Sequence, residues 1–284
     1  MAAITAQMVK DLREKTSAGM MDCKKALQEC DGDMAKATDW LRQKGLSQAA
    51  KKAHRATSEG MVAFAANDNA SVLVEIKCET DFVARGDKFQ AFAAQVANTV
   101  LEKAPADDAA LQALIEEDLK AQIGVLGENM SVGRFVFMAK PESGAVGSYV
   151  HSNGKIGVLV EMTCAAPAAV ENEKFKELMK NVAMQVAAAC PLALDCNGLD
   201  PDVVAREREV YRKKTLEEGK PEKIVDKIVD GRMQKFFQDA CLLDQAFIRD
   251  DKLSIRALLA QESKELGGEV KIVRFARLQL GEDA

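Results

Sequence analysis

The sequence predicts an α+β protein with three parts: a group of three short N-terminal helices, a core of two duplicated hairpin-plus-helix subdomains, and an inserted antiparallel helical hairpin. Three observations support this prediction. Apolar residues recur at helical spacing near the N terminus, one stretch of the core repeats another at a fixed distance, and a long charged segment carries an apolar stripe.

The first 45 residues are expected to form three helices, at 6–15, 23–30 and 34–44. Each helix has a polar residue that is suited to cap its N terminus: Thr5, Asp22 and Asp33. Each of these elements is expected to stop at a glycine: Gly19, Gly32 and Gly45. The polar and basic stretch at 46–58 is interpreted as a connector, and for its basic run at 51–55 a solvated linker face is weighed against a phosphate-binding patch.

Two adjacent methionines, Met20 and Met21, precede Asp22 in a glycine-containing turn. Methionine is flexible and polarizable, so it suits a contact surface, but it also fills space in a core. The sequence leaves both interpretations open.

The core is predicted from an internal duplication. A shift of 86 residues aligns 62–101 with 148–187 without a gap, and it places VLVEIKC at 72–78 on VLVEMTC at 158–164. Each copy is expected to contain two strands and a helix, in the order 60–66, 71–78 and 87–104 in the first copy and 145–151, 156–163 and 172–189 in the second. A helical insert at 107–122 separates the copies.

Residues 201–239 are predicted to form an antiparallel helical hairpin. The segment is mostly charged and is interrupted at Gly219-Lys220-Pro221. An apolar stripe runs along its second half: Ile224, Val225, Ile228 and Val229. The charged outer surface suits a coiled-coil arm. Beyond it we expect a helix at 254–263 and a final strand over EVKIVRFARLQLG, which would complete the second sheet.

The clearest difference between the copies is Thr80-Asp81-Phe82-Val83, because the second copy has Ala-Pro-Ala-Ala at 166–169. Residues that build the fold should persist in both copies, so these four residues are a candidate contact site. The alternative is that Thr80 or Asp81 caps a short helix and Phe82 is buried in the core. An exposed ring beside a fixed negative charge would suit insertion into a partner, where its burial is worth about 1.5–3 kcal/mol.

Composition and motifs argue against several classes of function. The net charge is −5 and the chain has one Trp and two Tyr, which disfavours direct nucleic-acid binding. No run is long and apolar enough for a membrane span and no secretory signal is recognised, so a cytoplasmic location is expected. With seven cysteines lacking C-x-x-C and two histidines, no metal site or cofactor is predicted. No nucleotide-binding or hydrolase motif is present, so no enzyme activity is expected.

Four segments resemble the bacterial elongation factor Ts family, whose members are nucleotide-exchange factors for the GTPase elongation factor Tu. They lie in order along the chain and begin at residues 12, 78, 147 and 219: LREKTSAGMMDCKKAL, CETDFVAR, GSYVHSNGKIGVLV and GKPEKIVDKIVDGRMQKF. The resemblance implies a ubiquitin-associated-like (UBA-like) N-terminal domain, two related core subdomains and a coiled-coil hairpin. The implied segments are 1–54, 55–143, 144–200 for the first part of the second subdomain, 201–239 for the hairpin, and 240–284 for the completion of that subdomain.

The resemblance implies roles for the Thr80–Val83 segment. In the family, the Asp-Phe pair that matches Asp81 and Phe82 disturbs the Mg²⁺ and phosphate site of the GTPase. The ring wedges between helices of the G domain, and the groups that hold the metal are loosened. The partner site would therefore be formed by Thr80, Asp81, Phe82 and Val83.

The resemblance implies further contacts as well. The N-terminal helices around Met20, Met21 and Asp22 would dock on the G domain. His151, which from the sequence alone is a turn residue, matches a family histidine linked to the same interface. The helical hairpin is associated with pairing of complexes. Some members continue past the final strand with a helix that touches the GTPase, and that contact is not expected for a sequence ending at 281–284.

Two rival interpretations remain if the resemblance is set aside. A non-catalytic protein-interaction module without exchange activity would come first, and a nucleic-acid-binding protein would follow. Retention of one translational GTPase, with elution by GDP and Mg²⁺, would separate the exchange factor from both.

Overall fold

A computed structural model describes residues 4–16, 18–151 and 153–282. Ser152 of the predicted turn and the last two residues, Asp283 and Ala284, lie outside the described residues. The N-terminal helices are α1 (Ala6–Thr16), α2 (Met20–Glu29) and α3 (Met34–Lys52). The elements that follow are β1 (Glu59–Ala66), β2 (Ala70–Cys78), α4 (Asp81–Ala84), α5 (Asp87–Lys103), α6 (Asp108–Leu126) and β3 (Met130–Ala139).

The second half of the chain has the same mixed character. Its elements are β4 (Gly144–Val150), β5 (Ile156–Cys164), α7 (Glu173–Ala189), α8 (Pro201–Glu217), α9 (Glu222–Ala240), β6 (Ala246–Phe247), β7 (Asp250–Ser254), α10 (Ile255–Leu266) and β8 (Val270–Gln279). This combination of helices and antiparallel sheets confirms the predicted α+β class.

The three N-terminal helices pack around a small apolar core. Its buried members are Val9, Leu12, Cys23, Ala26, Leu27 and Ala37. Thr5 and Asp33 cap α1 and α3 as predicted, because each side-chain oxygen accepts a backbone N–H of the first turn. The prediction that Asp22 is an N-cap is wrong, since α2 already begins at Met20. Asp22 lies within the first turn, and its carboxylate is 2.6 Å from Lys44 Nζ.

Gly45 does not end α3, contrary to the sequence prediction. The helix continues past it, and Gly45 is buried where α3 crosses α6. A Cβ atom placed on Gly124 of α6 would lie 3.0 Å from the Cα of Gly45. The two glycines therefore permit a close crossing, which overrides the low helix propensity of glycine. Part of the predicted connector at 46–58 is consequently helical.

The core contains two three-stranded antiparallel sheets, with strand orders β1-β2-β3 and β4-β5-β8. Both predicted hairpins are present, as β1 pairs with β2 and β4 pairs with β5. The final strand, β8, pairs with β5 and completes the second sheet, as expected. In the first sheet β3 takes the equivalent place, and the sequence patterns did not predict it.

The two sheets pack face to face, and helices cover the outer face of each, α5 with α6 on the first sheet and α7 with α10 on the second. In β2, Val72, Val74 and Ile76 belong to the core beneath α5, whereas Leu73 packs with Leu159 of the opposite sheet. The alternation follows from the two-residue period of a strand. The result is a layered core in the order helix, sheet, sheet, helix.

A buried glutamate lies on the central strand of each sheet. Glu75 of β2 is 1% exposed, and it is 3.7 Å from Arg134 Nε of β3. Its other oxygen accepts the backbone N–H of Gly281 at 2.9 Å. In the second copy, Glu161 of β5 is 2.6 Å from Arg274 Nε of β8. Because a buried carboxylate requires such partners, the two pairs help to fix the third strand of each sheet.

The hairpin turn is longer in the second copy. The last paired residues are Ala66 and Ser71 in the first copy and Val150 and Gly157 in the second. The ungapped alignment is therefore wrong by two residues for the first strand, where Gly60 corresponds to Gly144. At both glycines a Cβ atom would lie 2.0 Å from a backbone oxygen of the neighbouring strand, so neither site accommodates a side chain.

Helices α8 and α9 lie antiparallel and are joined through Gly219, whose φ is +71°. Val225, Val229 and Met233 of α9 are buried between them, whereas Ile224 of the predicted stripe is exposed. Oppositely charged residues connect the two helices in the pairs Arg208–Asp230, Arg212–Asp226 and Arg232–Glu218. The hairpin therefore has its own narrow apolar core and a charged surface.

Candidate partner-binding site

The Thr80–Val83 segment forms the start of α4, a four-residue helix that follows β2. Thr80 caps this helix, because its Oγ1 accepts the N–H of Val83 at 3.4 Å. The ring of Phe82 is 85% exposed, while Val83 packs against the core beneath α5. Of the alternative interpretation, the cap by Thr80 is present, but the burial of Phe82 in the core is wrong.

Asp81 holds a negative charge beside this exposed ring. Its carboxylate is 3.1 Å from Arg85 Nη2, four residues further along the chain. Arg85 is exposed and Asp81 is half-exposed, and an ion pair at such a surface is weak. The carboxylate is therefore free to exchange Arg85 for a group of a partner.

The equivalent junction in the second copy is the 3₁₀ helix Pro167–Glu171. Ala168 corresponds to Phe82 and is also exposed, whereas Ala169 corresponds to Val83 and is buried. The architecture places this position on the surface in both copies. Only the first copy has an aromatic ring there, so the ring is not required by the fold.

A cleft of about 760 Å³ lies between α4 and the turn that joins β4 to β5. Asp81 and Arg85 line one side, and Asn153, Gly154 and Lys155 line the other. The cleft thus brings Asp81 together with the turn that contains His151. Arg85 and Lys155 were missed by sequence reasoning, although the four-residue spacing of Asp81 and Arg85 was a usable signal.

The β4–β5 turn is fixed against the first sheet. Gly154 has a φ of +70°, as the predicted tight turn requires, and its carbonyl accepts the N–H of Val62 at 2.7 Å. Lys155 Nζ lies 2.7 Å from the carboxylate of Glu59. These contacts hold the turn in place beside α4.

His151 stands at the base of the same turn. Its backbone N–H donates to the carbonyl of Ile156 at 2.9 Å, so it is a turn residue as the sequence indicates. Its ring is exposed, and Nδ1 is 3.0 Å from the hydroxyl of Tyr149. The predicted contact of His151 with a partner stays a prediction, for which the exposed ring is a necessary condition.

Met20 and Met21 are 50% and 75% exposed at the start of α2. The interpretation of this pair as core filler is therefore wrong, and the contact interpretation remains. Asp22 beside them is held by Lys44, whose Nζ also lies 5.3 Å from the ring centroid of Trp40. The two methionines thus form a small apolar surface next to an ordered carboxylate.

The family model "Elongation factor TS" matches residues 79–282, which include α4, strand β3 of the first sheet and the whole second sheet. The Elongation factor Ts of Desulfovibrio desulfuricans is 57% identical over 283 residues, which is 99% of this chain and 99% of that protein. The chain belongs to the elongation factor Ts family. Two further relatives carry the same name: that of Nitratidesulfovibrio vulgaris is 57% identical over 284 residues, and that of Lawsonia intracellularis is 48% identical over 293 residues. The two alignments cover 97% and 100% of these relatives, respectively, and each covers 99% of this chain.

Membership of the elongation factor Ts family confirms the resemblance and the role as an elongation factor of protein biosynthesis. The family model begins at Glu79, so only the full-length relatives extend over the N-terminal helices with Met20 and Met21. Among the described residues, no three His, Cys, Asp or Glu side chains are grouped in a way that could hold a metal ion. None of the helices in the described ranges is long and apolar enough to cross a membrane.

Proposed function

We propose that this member of the elongation factor Ts family binds elongation factor Tu in its GDP-bound form, promotes release of GDP, and so allows exchange for GTP. It acts by binding and catalyses no covalent step. The observation that carries the proposal is the exposed ring of Phe82 beside Asp81 on a short capped helix. Single exposed apolar side chains are common, but this ring has no counterpart in the second copy, so the fold does not require it and it is available for contact with a partner.

Asp81 and Phe82 act on the magnesium and phosphate site of the GTPase. Bound GDP is held by backbone N–H groups and by Mg²⁺, which requires near-ideal octahedral coordination. A ring that enters between helices of the G domain displaces these groups by a small distance and weakens nucleotide binding steeply. Thr80 caps α4 and Val83 anchors it to the core, so both support the orientation of the ring.

The free energies require a broad interface. Weakening nucleotide binding by about 10⁴-fold takes about 5.5 kcal/mol, whereas burial of one Phe ring contributes about 1.5–3 kcal/mol. The remainder comes from contacts elsewhere, for which the exposed Met20 and Met21, Asp22 and His151 are candidates. Because linkage is reciprocal, GDP weakens the binding of this chain to the GTPase by the same factor.

The finer architecture belongs to the same proposal. α1, α2 and α3 correspond to a UBA-like domain that docks on the G domain. α8 and α9 correspond to a coiled-coil arm that pairs complexes. The boundaries after residues 54, 143, 200 and 239 follow from this assignment.

Stopped-flow release of a fluorescent GDP from elongation factor Tu tests the proposal. At saturating concentration the unmodified chain is expected to accelerate the release of GDP from elongation factor Tu. The Phe82→Ala variant is expected to bind the nucleotide-free GTPase, but GDP release in its presence should be slower than with the unmodified chain. Leu114→Ala, which truncates an exposed apolar side chain of α6, is the matched control and should behave as the unmodified chain. Binding without any acceleration would favour an interaction module without exchange activity.

A further inference from the structure

Glu128 lies directly behind the N terminus of α4, in the turn between α6 and β3. Its Oε2 accepts the backbone N–H groups of Glu79 at 3.1 Å and of Thr80 at 3.0 Å. Its Oε1 accepts the hydroxyl of Thr80 at 2.6 Å. One carboxylate thus binds three donors of the two residues that precede Asp81, and hydrogen bonds to an ionised group are stronger than neutral ones.

The connection between the two segments is reciprocal. Glu79 Oε1 accepts the N–H of Asn129 at 2.6 Å, and Asn129 Nδ2 donates to the carbonyl of Arg55 at 2.7 Å. The N–H of Asn129, supported by the charge of Arg55, holds the pKa of Glu79 below its ordinary value. Two glutamates therefore tie the end of β2 to the start of β3 from opposite sides.

The second copy builds the same junction without these carboxylates. Met130 and Val270 begin β3 and β8 opposite equivalent cysteines, which sets the alignment of the two strands. The residues equivalent to Glu79, Thr80 and Glu128 are then Ala165, Ala166 and Gly268. A Cβ atom on Gly268 would lie 2.5 Å from the backbone nitrogen of Ala166, so backbone packs directly on backbone there. Glu128 accompanies only the copy that carries Phe82.

α4 has little means of fixing its own orientation. It is four residues long, and a single helical turn is unfavourable in isolation. The ring of Phe82 is in solvent and adds no packing, so Val83 and Ala84 provide the apolar contacts of this helix with the core. The hydrogen bonds at Thr80 are accordingly a large share of what holds α4.

We propose that Glu128 is a positioning residue, which fixes Thr80 and thereby holds α4 in the orientation that presents Phe82 to the partner. This inference rests on the proposed function and deepens it. Without the carboxylate, α4 occupies other orientations for part of the time. Only the fraction in the presenting orientation is competent, so below saturation the exchange rate falls to that fraction of its original value.

Three variants test the role of Glu128. Glu128→Ala removes every acceptor. Glu128→Gln keeps an oxygen for the two N–H groups, and its NH₂ group can donate to the hydroxyl of Thr80, so it should restore most of the rate. Glu269→Ala is the matched control, because it removes an exposed carboxylate from the equivalent turn of the second copy, where its ion-pair partner is Lys271 at 2.8 Å.

Two measurements are needed, namely amide hydrogen exchange and stopped-flow GDP release from elongation factor Tu. Glu128→Ala is expected to lose protection at the amides of Glu79 and Thr80 while the amides of β2 stay protected. If the presenting orientation falls to a tenth of the population, release slows about tenfold. In a Phe82→Ala background the same change should add no further slowing, because it acts through the ring.

The outcomes separate the inference from the proposed function. Slow release in Phe82→Ala with normal release in Glu128→Ala overturns the positioning role alone. Equal slowing by Glu128→Ala with and without Phe82 also overturns it. Normal release in Phe82→Ala overturns the proposed function and this inference together. Should Glu128→Ala fail to fold, Glu128→Met keeps the length of the side chain without its oxygens, and normal release in that variant would equally overturn the positioning role.

Discussion

Phe82 and Ala168 occupy equivalent positions in the two copies of the core, and both side chains lie on the surface. The ring of Phe82 therefore contributes almost nothing to the stability of its own fold. The second copy shows that the junction folds with a methyl group in the same place.

Phe82→Ala should separate function from stability. The free energy of unfolding is expected to stay within about 0.5 kcal/mol of the unmodified chain, since the side chain is exposed. At a saturating concentration of the variant, GDP release is expected to slow by about ten- to a hundredfold. The reason is the loss of the about 1.5–3 kcal/mol that burial of the ring in the partner contributes. Urea unfolding and stopped-flow fluorescence measure the two quantities, and a clear fall in stability would show that the ring supports the fold.

Deletion of the helical hairpin should leave exchange largely intact. Its apolar core is internal to α8 and α9, and its base is tied to the subdomain by the N–H of Leu192, which donates to the carbonyl of Ala240 at 2.8 Å. Replacement of 202–238 by a short Gly-Ser linker is the variant, and circular dichroism would establish that it folds. Loss of GDP release in the folded variant would move the active surface to the hairpin.

The C-terminal ends of α5 and α7 carry equivalent strain. Ala104 and Cys190 have φ angles of +42° and +46°, and each is followed by a proline. A residue with a Cβ atom in this left-handed region costs about 1–2 kcal/mol. Ala104→Gly and Cys190→Gly should each raise the free energy of unfolding by about 1 kcal/mol. Ala94→Gly, at an exposed site within α5, is the control and should lower the free energy of unfolding by about 1 kcal/mol. Urea unfolding of the three variants measures these changes and their opposite signs.

Stability should fall at alkaline pH partly because of Cys78. Burial, and next the charge of Glu128, raises the pKa of this thiol from 9.0 to about 11. Below pH 9 the thiol is protonated in both the folded and the unfolded state, so its contribution to the free energy of unfolding is fully present. As pH rises from 9 to 11, the Cys78 thiol loses its proton in the unfolded state first. The free energy of unfolding therefore falls by up to about 2–3 kcal/mol.

Cys78→Ala provides the comparison for this pH dependence. The variant is less stable at pH 8 because a buried side chain is shortened, but its stability should fall less steeply between pH 9 and 11. Cys241, whose pKa burial also raises to about 11, retains its own contribution in this variant. An identical slope in both proteins would show that Cys78 does not titrate in this range.

Local patterns in the sequence were sufficient for much of the fold and for the central site residue. The helix caps at Thr5 and Asp33, both hairpins and the completing strand β8 depend on short-range spacing and alternation, which the structure preserves. The exposure of Phe82 was accessible because the duplication shows what the fold does not need at that position.

The failures arise where tertiary contacts override local preference. Gly45 resembles a helix stop, but its lack of a side chain serves the close crossing with Gly124. The matching strands at 72–78 and 158–164 favoured an ungapped alignment, which concealed the two extra residues of the second turn. Glu128 was missed because its partners at Glu79 and Thr80 are some 50 residues away in sequence, and no periodic pattern connects them.

The strand order β4-β5-β8 has a consequence for synthesis of the chain. All strands of the first sheet lie within 59–139, whereas the second sheet waits for 270–279, after α8 and α9 have been made. Limited proteolysis of a chain shortened to residue 268 is expected to spare the first half and cut the second. During translation, β5 keeps an open edge and Glu161 lacks Arg274 until residues 270–279 have been made. The first half of this translation factor is thus secured during its own synthesis well before the second.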